Sequence, residues 1–280
     1  MNIGNYELFT VETGYLSLDG GAMFGNVPKT LWSKTNPADE FNRIKLAMRL
    51  LVIKDGERTI LVDVGAGNQM KAKQDKIYKL DSHQSGLGQD LLGQGVDPKE
   101  VTDVLLTHLH FDHAGGATRY QDGQLELTFP NAQYHLHSEQ WEWANNPSER
   151  DRASYMVENF HPLLSSGKLR TFSGKNELLS GFELLTFYGH TPGMILPKIS
   201  DSRATILYCA DLIPTASHLP LPYIMGYDNN PLVTLEEKRK VLQQAVKEDW
   251  ILVFTHDPYR KAGKVELTEK GFSLKEEITL

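Results

Sequence analysis

Thr107-His108-Leu109-His110-Phe111-Asp112-His113-Ala114-Gly115-Gly116 is the stretch whose reading decides the fold. Three histidines and an aspartate fall within six residues, in the pattern H-x-H-x-D-H. The run before it, Val101-Thr102-Asp103-Val104-Leu105-Leu106, is short, apolar and rich in β-branched residues, which predicts a buried strand. A strand ending at Thr107 delivers the histidines to its carboxyl end, where open α/β sheets place their ligand sites. Residues two apart in an extended segment point the same way, so His108 and His110 can grip one ion together. Asp112 and His113 are adjacent and diverge as the chain leaves the strand, which suits a second ion beside the first. Imidazole and carboxylate donors without thiolate suit zinc, and they also admit manganese, cobalt or iron. The glycines after His113 permit a tight turn and close backbone approach.

Working outward, three later strand-like runs end on residues of the same kind. Phe182-Glu183-Leu184-Leu185-Thr186 leads into Phe187-Tyr188-Gly189-His190-Thr191-Pro192-Gly193. Thr205-Ile206-Leu207-Tyr208-Cys209-Ala210-Asp211 ends on an acid, and Trp250-Ile251-Leu252-Val253-Phe254-Thr255-His256-Asp257 carries a histidine at its end. With H-x-H-x-D-H, a G-H-T-P-G turn, a later Asp and a final His in order, the chain resembles a metallo-β-lactamase-fold hydrolase over nearly its whole length. The resemblance implies that His108, His110 and His190 hold one ion, that Asp112, His113 and His256 hold a second, and that Asp211 bridges them. It implies two zinc ions and hydrolysis by a metal-bridging hydroxide, with Asp211 and Asp112 in the catalytic centre and Asp112 also serving as a proton shuttle. Asp63, ending Arg58-Thr59-Ile60-Leu61-Val62-Asp63, is expected behind the site, orienting ligands by hydrogen bonds. The strands and helices suit two sheets with helices outside, and the resemblance sharpens this α/β (α+β) pattern to a four-layer αββα sandwich.

A chain of 280 residues can bury a sizeable core. Its metal candidates run from residue 108 to residue 256, so residues 1–280 are read as one domain: a cut between them would split one site. The net charge of −7 argues against a nucleic-acid partner, because phosphate contacts need clustered Lys and Arg. No apolar run approaches the ~20 residues of a membrane helix. The segment Met1–Leu8 has neither the basic region nor the apolar core of a signal peptide. The single cysteine, Cys209, fits a reducing compartment, with the cytoplasm as the default, and its place in an apolar strand gives it a packing role.

Tyr6–Val11 and Tyr15–Leu18 read as a first hairpin around Gly14, and Asn42–Ile53 with Arg58–Asp63 as a second, turned at Lys54-Asp55-Gly56-Glu57. Between them, Asp19 to Trp32 is punctuated by glycine and shows no period, yet carries Met23, Phe24, Val27, Leu31 and Trp32. Loops with exposed aromatics carry binding function, and lactonase-like relatives border their pocket with a similar G-G-A-M-F-G…P-K-x-x-W segment. Met23, Phe24 and Trp32 are therefore expected to bind substrate as an apolar lid. Residues 69–80 and 85–94 read as two surface helices, with His83 between them given no role. Leu125–Phe129 and Ala132–His137 are expected strands, His135 and His137 being structural. Helices are expected from Ser138, over 152–165, and over Thr234–Val246 with Thr234 as the cap. The proline-rich run Leu212–Asp228 starts one residue after Asp211 and is expected to form a pocket wall, with His218 as a substrate-binding candidate.

The resemblance also bears on the branch. Asp211 stands where common zinc β-lactamases carry Cys, and His110 stands where oxygen-reducing di-iron relatives carry Glu. The chain is most similar to the N-acyl homoserine lactonase-like branch, which implies hydrolysis of a small-molecule ester or lactone and a homodimer. Many such lactonases have Tyr three residues after the bridging Asp. This chain has Pro214, leaving Tyr223, Tyr227 and His218 as candidates to stand in. The alternatives are an organophosphate or aryl-ester hydrolase, a glyoxalase-II-like thioesterase, and a metal-binding scaffold without catalysis.

Overall fold

Strand side chains alternate between faces, so a strand apolar at every position has to be covered on both sides. Within Arg43–Lys54, Leu50 to Ile53 form such a run: Leu51 and Ile53 face one way and Leu50 and Val52 the other. Ile60 and Val62 of Thr59–Val62, and Leu105 of Asp103–Leu105, join the first face, while Leu61 and Val104 join the second. The computed structural model describes residues 1–69, 72–82, 86–174, 176–179 and 181–280. His83 lies outside the described residues.

The first sheet runs in the order Asn2–Ile3, Tyr6–Asp19, Arg43–Lys54, Thr59–Val62, Asp103–Leu105, Gln133–His137 and Leu169–Phe172, with Asp81–Ser82 paired to the long second strand. The second sheet runs Asn176–Leu179, Phe182–Phe187, Met194–Ser200, Thr205–Tyr208, Ile251–Val253, Ala262–Thr268 and Gly271–Ile278. The inner faces of the two sheets share one core, with Leu51, Ile53 and Leu105 on one side and Ile199, Ile206 and Val253 on the other. Phe160 and Leu163 of Val157–Ser165 and Ala144 of Ser138–Asn145 cover the outer face of the first sheet. Val241, Leu242 and Ala245 of Pro231–Lys247 pack against the second. The result is helix, sheet, sheet, helix. Among the described residues no helix is long and apolar enough to cross a membrane.

The two sheets deliver chain ends to one edge. In the first, Thr59–Val62 and Asp103–Leu105 are parallel, so Asp63 and the Thr107–His113 segment leave side by side. In the second, Thr205–Tyr208 and Ile251–Val253 are parallel, so Asp211 and His256 do the same.

Four local expectations differ from the structure. Tyr6–Asp19 is one continuous strand, because both of its halves pair with the same long partner, Arg43–Lys54. At Gly14 (φ 122°) the register shifts rather than reverses. The segment after Asp19 forms two short helices, Gly20–Phe24 and Lys29–Trp32. The first starts because the Asp19 carboxylate accepts from the Ala22 N–H at 2.8 Å. The later helix begins at Pro231 rather than Thr234, since Pro suits the first helical position, and Thr234 becomes a buried interior residue. Gln124–Leu127 pairs with Thr118–Gln121 in a separate two-stranded sheet, turned at Asp122-Gly123 with both φ positive.

Candidate metal centre

His108, His110, His190 and Asp211 each present a donor atom, all within 4.8 Å of one another, and Asp112, His113 and His256 form a second such group. All seven residues are buried. His108 Nε2 and His190 Nε2 each lie 3.1 Å from His110 Nδ1, and His113 Nε2 lies 3.1 Å from His256 Nε2. A tetrahedral ion with Zn–N bonds of about 2.0–2.1 Å holds its donors roughly 3.3–3.4 Å apart, so the spacing fits zinc. Asp211 faces both groups. Its Oδ2 is 3.2 Å from His190 Nε2 and 4.0 Å from His108 Nε2, while its Oδ1 is 3.0 Å from His256 Nε2 and 3.2 Å from His113 Nε2. That Oδ1 is buried yet makes no hydrogen bond among the described residues. Atoms that crowd together without sharing protons are what a cation would organise.

Four of the five outward ring nitrogens are tied down, His110 Nε2 having no hydrogen-bond partner among the described residues. His113 Nδ1 pairs with Asp63 Oδ2 and His190 Nδ1 with Asp228 Oδ1, each at 2.8 Å. His256 Nδ1–H donates to the Ala47 carbonyl at 2.8 Å, and His108 Nδ1 lies 3.0 Å from Thr107 Oγ1. Fixing Nδ1 leaves the Nε2 lone pair aimed inward, which sets both tautomer and ring orientation. Asp63 does more than hold one ring: it also accepts from the Thr107 N–H at 2.8 Å and the Thr107 hydroxyl at 2.9 Å. Asp63 (φ 59°) and Ala210, the residue before Asp211 (φ 40°), both adopt left-handed backbone. Such a conformation costs roughly 1–2 kcal/mol in a non-glycine residue, so tertiary contacts impose it. The segment from Val64 to Ala66 lies directly against Gly115 and Gly116, where any Cβ would strike its backbone. Here glycine serves close approach.

The rings divide by charge state, with the surrounding carboxylates raising His113 and His190 while His108 and His110 are lowered. Burial would raise the Asp211 carboxyl, but His113, His256 and His190 around it hold it well below its ordinary value. Burial, then neighbouring imidazoles, push His108 and His110 well below theirs, favouring neutral rings. Burial opposes a charge on His113, but Asp211, Asp112 and Asp63 outweigh it and raise the ring.

A cavity of about 180 Å³ opens over the centre, with His110, Asp112, His190, Asp211 and His256 on its floor. Met23, Leu18, Leu46, Phe111 and Met225 make an apolar wall, and Tyr78, Tyr227, Arg150, Asp151, Ser154 and Gly226 complete the lining. Phe24, Trp32 and His218 lie behind Met23. Phe24 stacks on His218 at 4.4 Å and on Trp32 at 5.5 Å, and all three are buried. His218 has both nitrogens engaged, Nδ1 with Thr215 Oγ1 at 2.8 Å and Nε2 with the Met23 carbonyl at 2.9 Å. Burial pushes it down to about 3, so it is neutral. Of the three candidates to stand in at Pro214, Tyr227 lines the cavity, whereas Tyr223 sits edge-on to Phe24. Cys209 is buried, and burial raises its thiol. His135 pairs with Asp103 at 2.7 Å, and His137 is buried against Phe172.

Residues 50–256 match the family model of the metallo-beta-lactamase superfamily. The chain belongs to this superfamily. Compared with the N-acyl homoserine lactonase AttM of Rhizobium radiobacter, this metallo-beta-lactamase chain is 28% identical over 170 residues, which cover 59% of it and 61% of AttM. It thus spans about three-fifths of the length of that curated relative. A probable metal-dependent hydrolase from Staphylococcus aureus superposes with a TM-score of 0.88 at 29% identity, covering 100% of this chain and 99% of that one. AidC, a dizinc quorum-quenching lactonase in complex with a product, shares the fold with a TM-score of 0.82 at 23% identity, over 100% and 97% of the two chains.

Sequence reading missed Asp228, the partner of His190, and the cavity residues Tyr78, Arg150 and Ser154. Arg150 donates to the Gly226 and Asp228 carbonyls, linking two loops that are far apart in sequence. No local spacing signals such a contact.

Proposed function

We propose that this chain is a dinuclear zinc hydrolase of small-molecule esters or lactones, with N-acyl homoserine lactones as the leading substrate class. The observation that carries this reading is the convergence of two donor groups, joined by Asp211, on the floor of a cavity with an apolar wall. His108, His110 and His190 would hold one ion, Asp112, His113 and His256 the other, with Asp211 between them. Bound there, the ions would supply Lewis acidity, which acidifies water and polarises a carbonyl oxygen.

The chain's own residues supply the rest. Asp112 reaches the cavity, with Oδ2 3.7 Å from His256 Nε2, and is the carboxylate that takes a proton from attacking water and passes it to the leaving oxygen. Met23, with Leu18 and Leu46, gives an acyl chain a dry surface, and Phe24, Trp32 and His218 hold Met23 from behind. Tyr227 provides the hydroxyl that Pro214 lacks: burial raises its phenol, so it stays protonated and donates to a substrate oxygen. The aromatic lining of Tyr78, Phe111 and Tyr227 also suits an aryl ester or phosphotriester as a second reading. Donors from both sheets complete the centre, so residues 1–280 work as one domain, in our reading as a cytoplasmic homodimer.

Proton release from a long-chain N-acyl homoserine lactone tests this, using zinc-loaded protein with His108→Ala as control. Fast, metal-dependent ring opening is expected. Turnover of an aryl phosphotriester alone moves the substrate to the second reading, and binding of zinc with no turnover of either class overturns the enzyme reading.

A further inference from the structure

The His108–His110–His190 group is assembled from two segments that come from different sheets, Thr107–His113 and the turn Gly189–Gly193. A buried side chain joins them. Gln140, on Ser138–Asn145, is fully buried. Its Oε1 accepts from the Leu109 N–H at 3.3 Å, between the two histidines of the first segment. Its Nε2 donates to Thr191 Oγ1 at 3.2 Å and to the Pro192 carbonyl at 2.7 Å, on the residues that follow His190. The Thr191 hydroxyl also meets the Tyr155 hydroxyl at 2.7 Å, and the Tyr155 ring lies 4.8 Å from that of His110.

An amide accepts at one end and offers two N–H donors at the other, whereas a carboxylate lacks the donors and an aliphatic chain lacks both. The helix gets near enough because residue 193 is glycine (φ 74°), where a Cβ would sit 2.7 Å from Gln140 N and 2.8 Å from His137 Nδ1. The hydrogen bonds of Gln140 reach none of Asp112, His113 and His256, whose anchors are Asp63 and Ala47.

We propose that Gln140 is a positioning residue for the His108–His110–His190 group, setting the separation of its two segments and so the zinc affinity of that half of the centre alone. This rests on the reading that the centre holds two ions. The test is a zinc titration of metal-free protein against a competing chelator, with cobalt absorption to follow each half. Wild type is compared with Gln140→Met, which keeps length and volume but removes all three hydrogen bonds. One ion is expected to bind about 10–100-fold more weakly while the other is unchanged, the usual size of an effect from a group that orients a ligand. Thr191→Val, which removes the shared hydroxyl at constant volume, is expected to weaken the same ion several-fold and decides the matter if Gln140→Met does not fold. Equal weakening of both ions, or no weakening of either, overturns the assignment even if thermal stability falls. The wild-type titration judges the two-ion reading by itself, and the assignment to Gln140 stands or falls on the difference between variant and wild type.

Discussion

In the donor cluster, four of the five histidine rings have their second nitrogen tied to a partner: Thr107, Asp63, Asp228 or the Ala47 carbonyl. The wall across the cavity is assembled differently. Phe24 stacks on Trp32 and on His218, all buried, and His218 makes one hydrogen bond to the Met23 carbonyl. Hydrogen bonds fix a ring within narrow angular limits, which a metal needs of its ligands. Stacked apolar surfaces tolerate small shifts at little cost, which suits the backing of a cavity wall. The difference teaches that damage to the cluster should appear in metal binding and turnover, and damage to the wall in stability and substrate preference.

The largest effect should come from the cluster itself. His108→Ala is expected to lose metal-dependent turnover: several kcal/mol of metal stabilisation corresponds to at least about a thousandfold in kcat/KM at 1.36 kcal/mol per decade. Steady-state kinetics with metal analysis checks this. Phe24→Ala, in the wall, should cost about 3–5 kcal/mol of stability in denaturant unfolding while metal content stays at the wild-type level. Loss of metal from that variant would break the comparison. Asp63→Asn should lower zinc affinity by about 10–100-fold in a chelator competition and leave the wall unaltered.

A smaller, pH-dependent effect belongs to His218. Its folded pKa of about 3, set by burial, lies below the ordinary value of 6.5, so the unfolded chain takes up the proton first as pH falls. Its contribution is therefore full above pH ~6.5 and is lost as pH drops toward 3, reaching about 2 kcal/mol at pH 5. Denaturant unfolding at pH 7 and pH 5 should show a drop in stability that His218→Gln reduces. An unchanged pH dependence in that variant would place the acid sensitivity elsewhere, in the cluster.

Much of the donor set was legible because a metal restricts residue type and because strands hand over their ends with a known geometry. The pattern around His108, the turn at His190, and the strand ends at Asp211 and His256 name seven residues that the structure gathers into two groups. The anchors were less legible. Asp63 emerged from a family likeness, while Asp228 and Gln140 carry no local signal, because each meets its partner across a long stretch of chain. In sequence the long strand Tyr6–Asp19 reads as a hairpin because a glycine marks a turn unless both flanks share one partner strand, a fact of pairing rather than of local sequence.

By itself, the sequence determined the donor chemistry and the place of the donors at strand ends. These follow from residue type and from periods of a few residues. Only the tertiary structure decided which nitrogen of each histidine faces inward, that His218 packs behind Met23, and that Asp63 and Ala210 adopt left-handed backbone. Those outcomes depend on hydrogen bonds and packing between segments brought together by the two sheets, and local preference alone would have opposed the last of them.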